Sequence, residues 1–226
     1  MHGIDCKSGL GSGTGLIPNP FTAELRDDVR RIHIRPVQME DAEELFRAIE
    51  ESLDQLCAWM TWCHRDYTFE HSQAFLVQAI AAWNAAREFS FAILDSTDGT
   101  LLGSVGINQL NRAHNFANLG YWVRRTRTRC GVASVAVNLA AQFGFHELGL
   151  TRLELLIPAR NVPSQRVALK SGARSEGTLR QRLVLAGELH DAALYSLVPQ
   201  DLRSPVHVRL GVRHDWPSEE LGVPFG

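Results

Sequence analysis

Apolar residues along this chain recur with two periods, and the switches between them divide it into strands and helices. Ile32 and Ile34, running into Pro36 and Val37, alternate as a first strand does. Ala42, Leu45, Phe46 and Ile49 then step by three and four, the spacing of a helix that buries one face. Glu40, Asp41, Glu43 and Glu44 crowd its first turn, where negative charge suits the helix dipole. Leu53, Leu56, Cys57 and Met60 predict a short second helix, and Phe75, Leu76, Ala79, Ile80 and Trp83 a third. Alternation returns at Phe89, Phe91 and Ile93. A turn at Ser96-Thr97-Asp98-Gly99 and a strand over 101–107 follow, since Asp-Gly between alternating runs signals a hairpin. A strand from about Ala117 to Val123 completes an antiparallel meander.

That strand runs into Arg124, Arg125, Thr126, Arg127, Thr128, Arg129 and Cys130, and then into Gly131. After it, Val132, Val135, Ala136, Leu139, Ala140 and Phe143 take helical spacing, so the arginine-rich loop empties into a helix amino terminus. Such a terminus offers N–H groups without intrahelical partners and partial positive charge, which suits phosphate oxygens. Gly131 and Ala133 leave room for an anion to approach the backbone. The plainer reading is a solvated charged loop between a strand and an ordinary helix.

Downstream, Leu153, Leu155, Leu156 and Ile157 predict another strand, and Val167 and Ala168 a short helix. Two final strands run over about 178–185 and 191–198, joined across Ala186-Gly187-Glu188. In the tail, Val206, Val208, Leu210 and Val212 alternate with polar or small residues, which fits an edge strand on this sheet or on a partner subunit, against disorder. Residues 1–28 hold Gly9, Gly11, Gly13 and Gly15 without a preceding strand or a following Gly-Lys-Ser/Thr, and read as a flexible leader. The expected division is thus a leader over 1–28, a domain over 29–200 and an extension over 201–226.

The run Gly120-Tyr121-Trp122-Val123-Arg124, a loop, then Gly131-Val132-Ala133-Ser134 resembles the acetyl-coenzyme A motif of GCN5-related N-acetyltransferases (GNAT) of the RimJ/RimL type. A second stretch, Asn161-x-x-Ser164-x-x-Val167-Ala168-Leu169-Lys170-x-Gly172-x-x-x-Glu176-Gly177, resembles that type's second motif, and the likeness covers about 30–198. It implies a single mixed α/β domain with a mostly antiparallel twisted sheet of about seven strands flanked by helices. It also implies acetyl-coenzyme A as co-substrate, held by Trp122, Val123, Thr128, Arg129, Cys130, Gly131, Val132, Ala133, Ser134, Asn161 and Ser164. The pantetheine arm would slide between the strand ending at Val123 and the strand over 153–157. Ser164 matches the family's proton donor to the departing thiolate. Asn161 and Ser164 would alternatively, or also, cap their helix.

Three positions depart from the pattern. Thr128 replaces the usual Gln or Arg, Arg129 stands where relatives commonly carry glycine, and Leu183 occupies the place of the glutamate that accepts the amine's proton. Asp191, Glu188 and His190 are the neighbouring candidates for that task, with a structural hydrogen bond or a solvated turn as the alternative. Trp59, Trp62 and Tyr121 are expected near the acceptor, although tryptophans also pack as core. The implied acceptor is a protein amino terminus or a small amine, and the expected assembly is a homodimer. The alternative is a non-catalytic coenzyme A binder.

Composition narrows the field further. At 226 residues with 45% hydrophobic and 21% charged content, the chain suits one globular domain with extensions. A net charge of -2 argues against bulk attraction to nucleic acid or membrane. No apolar run approaches the roughly 18 residues a spanning helix needs, and no signal pattern opens the chain, so a cytoplasmic location is expected. Cys6, Cys57, Cys63 and Cys130 form no CxxC pair, the nine histidines form no HExxH, and no metal site is expected. A Gly-x-Ser-x-Gly elbow is likewise missing, which leaves a serine hydrolase without support.

Overall fold

The computed structural model describes residues 22–27, 29–202 and 208–211. Among them, nine strands form one sheet: β1 (Thr22–Asp27), β2 (Ile32–Pro36), β3 (Phe89–Asp95), β4 (Leu101–Asn111), β5 (Phe116–Val123), β6 (Arg152–Pro158), β7 (Arg174–Leu185), β8 (Glu188–Leu197) and β9 (Val208–Gly211). Their order is β7-β8-β6-β5-β4-β3-β2-β1-β9. Every neighbouring pair is antiparallel except β5 and β6. Five helices complete the fold: α1 (Ala42–Glu50), α2 (Leu53–Cys57), α3 (Phe69–Asn84), α4 (Val132–His146) and α5 (Val162–Lys170).

The strand alternation sorts side chains to two faces. Phe89, Phe91 and Ile93 of β3, Val105 and Ile107 of β4, and Leu119 and Val123 of β5 pack with Val135, Leu139 and Phe143 of α4 in the larger core cluster. Ala92 and Leu94 of β3 and Trp122 of β5 turn the other way, toward Leu45 and Ile49 of α1 and Leu76 and Ala79 of α3. Helix α4 is apolar almost all round because it is pressed between the sheet and α5, and only helices buried on most sides have that composition. Helix α3 instead keeps one covered face; Phe75, expected in its buried stripe, is 38% exposed.

Two strands enlarge the expected sheet of about seven, and both lie at the β2 edge. The leader expected over 1–28 is corrected in part: Thr22–Asp27 is β1, paired in register Leu25↔Ile34 with β2. Only Ala23 and Leu25 alternate in that segment, too weak a signal to read locally; what decides is that Leu25 becomes fully buried against the sheet. The tail supplies β9, which pairs antiparallel with β1 through Leu25↔Val208 and Thr22↔Gly211. Val206 and Val212, and residues 1–21 with their glycines and Cys6, lie outside the described residues.

Candidate active site

Strands β5 and β6 are bonded at only three positions, Phe116↔Arg152, Ala117↔Leu153 and Asn118↔Glu154. Beyond Asn118, β5 continues against β4 and β6 continues against β8, so a wedge opens in the middle of the sheet. The Arg124 N–H donates to Leu102 O at 2.8 Å, which fixes the phase of the β4–β5 ladder. Strand alternation then turns the backbone groups of Tyr121 and Val123 away from β4 and into the wedge, while Trp122 bonds to β4 opposite Ser104. Unpaired strand backbone of this kind is a template for an extended, amide-bearing ligand.

The wedge opens toward the start of α4. Gly131 is its N-cap in the left-handed conformation, φ 81°, which glycine adopts without a steric penalty. The first intrahelical bond is donated by Val135 to Gly131 O, at 3.2 Å. The N–H groups of Val132, Ala133 and Ser134 therefore precede the helical ladder and point out of its positive end. Ser134 donates its hydroxyl to Gly131 O at 2.9 Å, so its side chain braces the turn. Arg30, on the turn between β1 and β2, brings Nη1 to 3.2 Å from where a Cβ on Gly131 would stand. Sequence reading missed that cation because about 100 residues separate Arg30 from Gly131, and only the fold brings them together.

The four loop arginines do not act alike. Arg124 is mostly buried and grips Glu51, just past α1, through Nε–Oε1 at 3.0 Å and Nη2–Oε2 at 2.7 Å, and Thr126 donates to the same carboxylate at 2.9 Å. Arg127 faces Asp95 at 3.8 Å. Arg125 and Arg129 are exposed, and Arg129 is left-handed at φ 63°. Thr128 folds its hydroxyl back onto Arg125 O at 2.9 Å, and Cys130 is exposed with Sγ 3.4 Å from Thr128 O. Half of the expected phosphate-gripping charge thus anchors the loop to the body of the protein.

On the far side of the wedge, Asn161 caps α5 by accepting the Ser164 N–H at 3.2 Å. Ser164 Oγ lies 2.7 Å from Tyr121 Oη, whose proton also reaches Ser164 O at 3.0 Å. Burial pushes the Tyr121 phenol up to about 12, against the pull of Ser164. The opposite face presents aromatic rings: Trp62, 41% exposed, lies 6.2 Å from Trp122 and 6.0 Å from Tyr67. Trp59 is half-buried beside them in sequence. Tyr121 and Trp122 therefore serve different faces of one strand. Among the described residues no cluster of three or more His, Cys, Asp or Glu could hold a metal, and no helix is long and apolar enough to cross a membrane.

Comparison with known proteins places this arrangement. The acetyltransferase (GNAT) domain family matches residues 31–174. The chain belongs to the GNAT acetyltransferase family. It is 29% identical over 174 residues to a Bacillus subtilis (strain 168) protein named Probable N-acetyltransferase YjcK, covering 76% of this chain and 96% of that protein. Among solved structures, one described as a "putative ribosomal-protein-serine acetyltransferase" from Vibrio cholerae has a TM-score of 0.66 at 30% identity, with coverage of 78% of this chain and 97% of that one. Mycobacterium smegmatis RimJ in complex with CoA-disulfide has a TM-score of 0.72 at 26% identity, with coverage of 83% and 91%.

Against the GNAT pattern, the acidic candidates are placed as follows. Asp191 is exposed, and its Oδ1 accepts the Gln181 N–H at 2.8 Å, holding the irregularity between Leu179 and Leu183 in β7. Glu188 opens β8 at the exposed hairpin tip, directly after the Ala186-Gly187 turn. Pairing of β8 with β6 begins only at Ala192↔Pro158, so residues 188–191 extend beyond the end of β6. Leu183 pairs with half-buried His190. Glu176, near the start of β7, is bound by both Arg152 and Ser196, and Arg152 above all holds its carboxyl down at about 2.

The Glu51–Arg124 clasp makes loop placement acid-sensitive. Hydrogen bonds from Arg124 hold the Glu51 carboxyl down at about 2, and Thr126 adds to them. A depressed carboxyl contributes stability in full above its ordinary value of 4.5, and that contribution fades as pH falls toward 2. Glu51→Gln is expected to cost about 1–2 kcal/mol at pH 7, the low end of the worth of a hydrogen bond to a charged group, because the site is partly exposed and the amide still accepts from Arg124. Its stability curve should be flatter than the wild-type curve below pH 4.5. Urea unfolding across that range checks this, and parallel curves would contradict it.

Proposed function

We propose that this protein moves an acetyl group from acetyl-coenzyme A to a primary amine, which attacks directly within a ternary complex. The observation that carries the reading is the wedge between β5 and β6, where unpaired backbone of β5 runs on to the loop before α4 and Tyr121 of the same strand meets the Ser164 hydroxyl. The fit is chemical: amide groups at Tyr121 and Val123 suit the amides of pantetheine, and the N–H groups of residues 132–134 with Arg30 and Arg129 suit the pyrophosphate. Asn161 and Ser164 stand at the thioester end. The donor supplies an activated acyl carbon; the chain's own residues orient it and exclude water.

The aromatic wall of Trp62, Trp122 and Tyr67 is assigned to the acceptor, on the face opposite α4, with Trp59 three residues before Trp62 as a further candidate. We assign a protein α-amine to it, or a small amine of similar size. The support is the Vibrio cholerae relative, whose description names a ribosomal protein as acceptor. The amine's surplus proton passes to water, with Asp191 and Glu188 as the carboxylates of the neighbouring hairpin. A second copy of the chain is the assembly we assign, in the cytoplasm.

The test is a pair of measurements on the full chain. Coenzyme A at 100 times its dissociation constant should raise stability by about 2.7 kcal/mol through mass action, read as a thermal shift. Acetyl-coenzyme A offered with amino-terminal peptides of ribosomal proteins should release free thiol. A shift without thiol release across peptides and polyamines would point to a binder that does not catalyse; no shift at all would remove the reading.

A further inference from the structure

A contact between β5 and α5 joins two hydroxyls. Tyr121 is carried by the part of β5 that has already left β6, and Ser164 by the first turn of α5. Their oxygens are 2.7 Å apart, and Tyr121 Oη is also 3.0 Å from Ser164 O, which can only accept. The Tyr121 side chain packs against the cluster that contains α4, whereas Trp122 belongs to the cluster on the other face. Adjacent residues of one strand point to opposite sides, so Tyr121 cannot share the aromatic wall with Trp62 and Trp122.

We propose that Tyr121 is a positioning residue for the acetyl donor: it holds the Ser164 hydroxyl as a hydrogen-bond donor to the sulfur that leaves when the acetyl group moves. This rests on the acetyltransferase reading above, and it removes Tyr121 from the acceptor site where the sequence suggested it. The phenol has one proton and two acceptors within reach. Without donor bound, Ser164 gives its proton to Tyr121 Oη and Tyr121 gives its own to Ser164 O. With donor bound, Ser164 turns its proton to sulfur and Tyr121 turns from the carbonyl to Ser164 Oγ. No hydroxyl loses its partner in either arrangement.

The bonds balance without ionising the pair. A nitrogen–carbon bond forms, the carbon–sulfur bond breaks with its electron pair on sulfur, and the amine's surplus proton goes to water. Passing a proton all the way along the two hydroxyls would leave a phenolate. Burial sets that phenol at about 12, and a thiol lies near ~8.5, so full transfer is uphill by roughly three powers of ten. The pair therefore acts by donating hydrogen bonds rather than by titrating.

The experiment uses Tyr121→Phe, Ser164→Ala and the double variant of the full chain. Calorimetry gives coenzyme A affinity, and thiol release gives kcat and KM from pH 6 to 9. Tyr121→Phe should lower kcat about 10-fold, the worth of one neutral hydrogen bond, equally at every pH and with coenzyme A affinity within twofold of wild type. The double variant should be no slower than Ser164→Ala alone, because the two groups act as one unit. Multiplicative losses, a parallel fall in affinity, or an alkaline limb that vanishes in Tyr121→Phe would each overturn the proposal. Should Tyr121→Phe be unstable, 3-fluorotyrosine at 121 keeps the shape with a stronger donor. It should hold kcat at or above wild type, and a fall to about a tenth would overturn the proposal. Wild type that binds no acetyl-coenzyme A sinks the acetyltransferase reading itself, which separates that failure from this one.

Discussion

Gly131→Val is expected to weaken coenzyme A binding by about 100-fold, equivalent to roughly 2.7 kcal/mol. Gly131 holds φ at 81° at the mouth of α4. A non-glycine residue there meets a penalty of roughly 1–2 kcal/mol, and a β-branched one more. Escape from that conformation would re-aim the N–H groups of residues 132–134, to which the proposed function assigns the pyrophosphate. Staying in it is no better, because the new Cβ would lie 3.2 Å from Arg30 Nη1 and force that cation aside. Gly131→Ala should show a lesser loss of about 10-fold, since one methyl meets the same dihedral but less of the cation. Calorimetry with coenzyme A and with pantetheine separates the causes. Pantetheine lacks the pyrophosphate, so its affinity should hardly change, and an equal loss for both ligands would place the damage elsewhere.

The same loop shows how far the residues speak for themselves. The strand–loop–helix order and the glycine were legible because hydrophobic periodicity and a glycine after a charged run are local signals. The roles of the arginines were not. Arg124 and Arg129 are indistinguishable in composition, yet one is clasped by Glu51, just past α1, and the other is exposed. Only the tertiary fold brings residue 51 to residue 124. Arg129 has a left-handed backbone at φ 63°, a conformation that glycine adopts without a steric penalty. β1 was illegible for a related reason: two alternating apolar residues carry no weight until Leu25 meets the β2 edge. The sequence reading names Tyr121 with Trp59 and Trp62 as residues expected near the acceptor. Strand alternation puts Tyr121 and Trp122 on opposite faces of β5, and the Tyr121–Ser164 contact links positions 43 apart in the chain, beyond the reach of any local pattern. The hydrogen bond that Asp191 accepts from the Gln181 backbone is the structural one named among the alternatives.

Phe143→Ala is expected to cost about 3–5 kcal/mol of stability, as other phenylalanine truncations in cores do. Phe143 is 1% exposed and packs its ring 5.1 Å from Phe91, 5.4 Å from Phe89 and 5.7 Å from Trp83. These rings join β3 and the end of α3 to α4, so the cavity would open at the seam where the central helix meets the sheet. For a chain of this size that loss lowers Tm by about 10 °C. Phe143→Leu, which refills most of the volume, should cost about 1–1.5 kcal/mol. Residue 143 lies about three turns from the helix mouth, so the folded fraction should keep its coenzyme affinity. Coenzyme A added in excess should then recover part of the lost Tm by mass action. Calorimetric scans with and without ligand read both effects. A Tm drop under about 3 °C would mean that α4 is held chiefly by its neighbours α5 and β6, and the packing argument for how the anion site is positioned would have to move there.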